Sequence, residues 1–158
     1  MPATMHNFYL RKIYLENKLI EPGGLSLGSV PINLGKVETP SFILATVEDH
    51  IAPWKSTYVG VDIYGGPVNF CLAASDHIAG VVNAPDSGKY SHWTNSGRPK
   101  SPNGWLAGAT EHTGSWWLEW LKWVRRHGGG KVPARVPGDG TLTVIEDAPG
   151  SYVKLRFQ

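Results

Sequence analysis

A chain of 158 residues, 41% apolar and 18% charged, suits one folded domain. Fifteen basic against thirteen acidic residues leave +2, too small and too scattered a charge for a nucleic-acid surface. The single cysteine, Cys71, excludes an internal disulfide and predicts a cytoplasmic setting, and neither a secretory leader nor an apolar run of ~20 residues for a membrane span is visible.

Apolar residues at Phe8, Leu10, Ile13, Tyr14, Leu15 and Leu19 predict a first helix, stopped by Pro22, Gly23 and Gly24. Short extended pieces and turns follow to Leu34. Phe42–Thr46 and the apolar run from Val68 predict two core strands. Pro53–Tyr64 between them, with Trp54, Tyr58, Val61 and Ile63, predicts a helix. Strand, helix, strand is a right-handed crossover in a parallel sheet, whose chemistry sits at the carboxyl ends of its strands. Ala84–Gly104 reads as a Pro/Gly/Ser/Lys-rich loop. Ser115 is the expected N-cap of a helix to about His127, ended by Gly128–Gly130. Its tryptophans cover more than one face, and five of the chain's seven lie between Trp105 and Trp123, which predicts a buried wall or contact surface. Beyond a linker over Lys131–Gly140, Thr141–Ile145 is β-prone and Pro149–Phe157 is expected to be an extended tail.

Each predicted core strand ends in a polar cluster. The first gives Glu48-Asp49-His50 and the second Ser75-Asp76-His77. His77 suits a general base near neutral pH, and Asp49 suits the carboxylate that would orient it. The interval, 77 − 49 = 28 residues, leaves room for one loop, one helix and one strand. Acid, then histidine, is the later part of a nucleophile–acid–histidine triad in the chain order of an α/β-hydrolase. Cys71 is a poor nucleophile candidate, because it stands mid-strand in Asn69-Phe70-Cys71-Leu72 without the small neighbours of a nucleophile elbow. Histidine spacing gives no metal site. No phosphate-cradling or dinucleotide glycine motif appears, so neither metal nor cofactor is expected.

Taken together these stretches identify a family resemblance. Met5-His6-Asn7-Phe8-Tyr9-Leu10-Arg11, Glu48-Asp49-His50-Ile51-Ala52-Pro53-Trp54, His77-Ile78-Ala79-Gly80-Val81, Ser91-His92-Trp93-Thr94-Asn95 and Gly114-Ser115-Trp116-Trp117 resemble the C-terminal part of class I poly(3-hydroxyalkanoate) synthases. The resemblance covers essentially the whole chain. It implies an α/β fold, the C-terminal portion of an α/β-hydrolase, with residues 1–35 closing a cap, 36–130 in the catalytic core and 131–158 forming linker and tail. It implies a Cys-Asp-His triad that polymerises (R)-3-hydroxyacyl-CoA with release of CoA. Asp49 and His77 match its acid and histidine. His50 and Arg11 match substrate-side positions. The growing polyester, a second copy of the chain and the polymer granule are the implied partners, and no cofactor is implied.

Two departures stand out. Asp76 replaces the family's usual glycine before the histidine, which would raise the pKa of His77 by charge attraction. The Gly-x-Cys-x-Gly-Gly nucleophile box is missing from these residues, so the chain alone is expected to be inactive. A non-catalytic interaction module, or an esterase or depolymerase relative, is the alternative.

Overall fold

A computed structural model describes residues 1–156. They fall into two units, Met1–His127 and the stretch from Gly128 onward.

The first unit opens with α1 (Ala3–Tyr9), begun after Pro2, whose carbonyl accepts from His6 N at 3.0 Å. The predicted helix over Phe8–Leu19 therefore starts earlier and does not run through. Over Leu10–Leu15 the coil widens, so that Glu16 N donates to Arg11 O, five residues back. Asn17, at φ 48°, ends it, a left-handed conformation that asparagine tolerates better than most residues. A small antiparallel hairpin, β1 (Ser26–Leu27) and β2 (Val30–Pro31), leads to the main sheet.

That sheet has four strands in the order β3-β4-β5-β6. β3 (Ser41–Thr46) and β4 (Val68–Ala73) are parallel, in register from Ser41↔Val68 to Thr46↔Ala73. Their crossover holds α2 (Trp54–Tyr58) and α3 (Gly60–Ile63), not one continuous helix. The break falls at Val59, whose amide reaches Ser56 O, a tighter turn than the α-helix. Close approach explains Gly60, where a Cβ would stand 3.1 Å from Ile43 Cδ1.

The remaining strands correct the sequence reading. Ser91–Thr94, assigned there to a loop, forms β5, antiparallel to β4 with Leu72 opposite Trp93. Thr110–Thr113 forms β6, antiparallel to β5. The sheet is thus mixed rather than wholly parallel. The same expected loop also holds the start of α4 (Pro102–Ala107), capped by Ser101 Oγ accepting from Gly104 N at 3.0 Å. β4 is apolar on both faces and buried over Phe70–Ala73, and such a strand needs a neighbour on each side.

Side chains alternate between two layers. Ala45, Phe70 and Leu72 face Trp54, Tyr58, Val61 and Trp105 in the core. Phe70 meets Tyr58 and Trp105 edge-on, with centroids 5.0 and 4.9 Å apart. The alternate residues of β3 turn Phe42 toward α5 (Trp117–His127), and Phe42 lies 6.2 Å from Trp116 and 5.7 Å from Trp123. No residue within α5 is fully buried, so its outward apolar side chains Leu118, Trp120 and Leu121 remain exposed.

In the second unit, Thr141–Ile145 forms no strand, and Ile145 is 95% exposed. β-propensity without a pairing strand leaves the backbone groups to water. The expected extended tail instead makes a tight helical turn over Tyr152–Lys154. Phe157 lies outside the described residues.

Candidate active site

Pairing between β3 and β4 continues one step past their ends. Val47 N donates to Ala73 O at 2.9 Å and Glu48 N to Ser75 O at 3.0 Å. This holds the residues that follow each strand at one carboxyl edge.

Asp49 turns the chain after β3. Its Oδ1 accepts from Ile51 N at 2.8 Å and Ala52 N at 2.9 Å. Its Oδ2 lies 2.7 Å from His77 Nδ1. The Asp49 side chain is only 8% exposed, whereas that of His77 is 48% exposed. The Ala52 amide, the His77 ring and the Ile51 amide together outweigh burial and hold the Asp49 carboxyl down at about 2. At neutral pH Asp49 is therefore an acceptor only, and His77 Nδ1–H is the donor. In the neutral imidazole the other nitrogen, Nε2, then carries the lone pair, the arrangement a general base requires.

Asp76 makes the same turn one strand over. Its Oδ1 accepts from Ile78 N at 2.9 Å and Ala79 N at 2.6 Å. The Ala79 and Ile78 amides are the main reason its carboxyl is held below the ordinary range, with His77 and His50 adding smaller attractions. Asp76 thus folds the turn that carries His77, a role the sequence reading did not assign. The signal was present as Asp-His-Ile-Ala, which stands at Asp49 and again at Asp76. Gly80 closes this turn against β3: a Cβ there would stand 2.7 Å from Thr46 Cγ2.

The other candidates lie apart. His50 is exposed beside Asp49, and Arg11 lies on the widened helical stretch, with no hydrogen bond or ion pair from either side chain to Asp49 or His77. Arg11 instead lines a shallow concavity with Asn7, Phe8 and Leu15. A second hollow, of about 350 Å³, lies at the opposite end of the sheet, around Phe42, Val68 and Arg98. Cys71 is wholly buried in mid-β4, opposite Leu44 and Thr94. Burial, with a smaller contribution from Glu119, pushes its thiol up to about 12, so it holds no thiolate to attack with.

Comparison with known proteins gives one consistent result. The chain is 44% identical over 158 residues to the poly(3-hydroxyalkanoate) polymerase subunit PhaC of Cupriavidus necator. It is 50% identical over 157 residues to the corresponding subunit of Rhizobium meliloti, and 48% over 158 to the poly(3-hydroxyalkanoate) polymerase of Methylorubrum extorquens. Each match takes in 99% of this chain but only 27%, 25% and 26% of those proteins. The chain therefore spans about a quarter of the length of the curated relatives it matches. No family model matches it.

Proposed function

A homologue of the poly(3-hydroxyalkanoate) polymerases by sequence, the chain is, we propose, the C-terminal part of such an enzyme and carries its acid and its base. In this reading the β3–β4 pair belongs to an α/β-hydrolase core, residues 1–35 close a cap, and His50 and Arg11 stand on the substrate side. The observation that carries it is the 2.7 Å contact between Asp49 Oδ2 and His77 Nδ1.

His77 Nε2 takes the proton of a cysteine thiol supplied by chain outside these residues. The thiolate attacks the thioester carbonyl of a 3-hydroxyacyl-CoA, and the bond to the CoA sulfur breaks. The proton on His77 passes to the departing CoA sulfur. In the next step His77 accepts the proton of an incoming hydroxyl, that oxygen bonds the acyl carbon, the bond to the cysteine sulfur breaks, and the proton on His77 returns to that sulfur. Asp49 stabilises the imidazolium each time and keeps the ring in one tautomer. Cys71 takes no part.

The test is CoA release from 3-hydroxybutyryl-CoA. The chain alone should release none. Mixed with a polypeptide carrying the remaining, cysteine-bearing part of a relative, it should release CoA, and His77→Ala should abolish this. Turnover by the chain alone, or turnover indifferent to His77→Ala, would refute the reading.

A further inference from the structure

The tryptophans at the start of α5 take no part in proton transfer, yet they contact both the strand that leads to Asp49 and the segment that follows His77. After His77 the chain coils through Val81 N to Ile78 O at 3.2 Å and Val82 N to Ile78 O at 2.9 Å. Its surface is open to water, with Ile78 71% and Val82 68% exposed. Beyond the Asp76 turn and the close fit of Gly80, the segment is fastened at its far end. Trp116 Nε1 donates to Val81 O at 3.1 Å, and Trp117 Nε1 donates to the same oxygen at 2.9 Å. Two donors fill both lone pairs of that carbonyl. Next to it, Ser115 Oγ donates to Asn83 O, and Asn83, itself buried, holds Lys89 O and Ser87 Oγ through its side chain.

The same Trp116 ring stacks on Phe42 of β3, at 6.2 Å and 26° between planes. β3 ends in the turn that carries Asp49. One helix start thus grips the strand of the acid through a ring face and the loop of the base through two indole N–H groups. Packing alone would not require adjacent indoles to converge on one carbonyl.

We propose that Trp116 and Trp117 are positioning residues for His77. By pinning Val81 they hold the His77 turn at the distance where Nδ1 meets Asp49. Loss of either donor loosens the turn, and loss of both frees the ring from Asp49. This rests on the acid–base reading of Asp49 and His77, and displacement on the order of 1 Å at such a site costs ~100-fold in rate.

Phenylalanine at either position keeps a ring to pack and removes only the donor. The readout is the His77 tautomer in the full chain, measured by multiple-bond ¹⁵N–¹H correlation at mildly alkaline pH. The unsubstituted chain should show the proton on Nδ1. In Trp116→Phe/Trp117→Phe the ratio of the Nδ1–H to the Nε2–H form should fall by about fivefold or more, the worth of an ordinary hydrogen bond. The amide signals of β3 and β4 should stay in place. An unchanged ratio in a folded double variant overturns the proposal. If the double variant loses the β3–β4 signals, Trp117→Phe decides alone: a ratio like that of the unsubstituted chain overturns it. An unsubstituted chain with the proton on Nε2 would instead refute the acid–base pairing itself, whatever the tryptophans do.

Discussion

Asp76 repeats, at the end of β4, the backbone contacts that Asp49 makes at the end of β3: each Oδ1 accepts the amides two and three residues further on. Only Asp49 adds a second oxygen against a histidine. The two residues therefore share a structural role and differ in a chemical one. Asn keeps an amide-accepting oxygen but not the charge, so it separates the two. Asp49→Asn should lower Tm by no more than Asp49→Ala, since the amide-accepting oxygen is kept, and should cut complemented activity by about 10³–10⁴-fold, through the wrong histidine tautomer. Asp76→Asn should keep most of that activity, while Asp76→Ala, which loses the turn, should lower both Tm and activity. Equal effects of Asp49→Asn and Asp76→Asn would remove the distinction.

Acid titration should report the same contacts. Asp49 is held at about 2 in the folded chain, against about 3.9 for an unfolded aspartate. A folded pKa below the unfolded one gives stability that is whole above pH ~4 and lost as pH falls toward 2. Asp76 shifts in the same direction. Urea unfolding between those limits should show stability falling more steeply in the unsubstituted chain than in Asp49→Asn. Glu16, held down by Lys12, and Glu146, held down by Ser151, leave a residual slope in both. Parallel curves for the two proteins would contradict the assignment.

Cys71 offers a check that needs no partner polypeptide. Its thiol is fully buried and pushed up to about 12. An aromatic disulfide reagent at neutral pH should leave it unmodified in the native chain and titrate one thiol per chain in denaturant. Cys71→Ala should leave complemented CoA release within about twofold, since the residue contacts no reacting group. Rapid native labelling would place the thiol within reach of solvent and reopen its role.

The two strands that carry the pair were legible because Phe42–Thr46 and Val68–Ala73 are long apolar runs closed by polar clusters. The helix after Ser115 was legible from its cap, and Ser115 Oγ does accept from Trp117 N at 3.1 Å. That Asp49 and His77 would meet followed from one crossover's worth of chain between them. β5 and β6 were not legible. Ser-His-Trp-Thr and Thr-Glu-His-Thr are short and largely polar, and their pairing partners lie outside any local window. Asp76 was read for its charge on His77, yet the lone pairs of its Oδ1 are taken up by two amides. The Thr141–Ile145 stretch shows the converse, strand-like residues with no pairing strand among the described residues.

Gly80 seats the Asp76 turn against the end of β3, and substituting it should displace the histidine more than it weakens the fold. An added Cβ would press hardest on Ala74 O, then on Thr46 Cγ2 at 2.7 Å and on Asp76 O at 2.8 Å. Asp76 O also accepts from Gly80 N at 3.1 Å, so the contact lies inside the turn and has no flexible side chain to yield. Overpacking of this kind costs about 1–3 kcal/mol. Relief comes most easily by lifting the exposed His77 turn from β3, since the sheet below is fixed by its ladder. Gly80→Ala should therefore lower stability by that amount and reduce complemented activity by at least about tenfold beyond the loss of folded protein. It should also shift His77 toward the Nε2–H tautomer. A Gly80→Ala chain that keeps the proton on Nδ1 and full complemented turnover would mean that β3, not the turn, gives way.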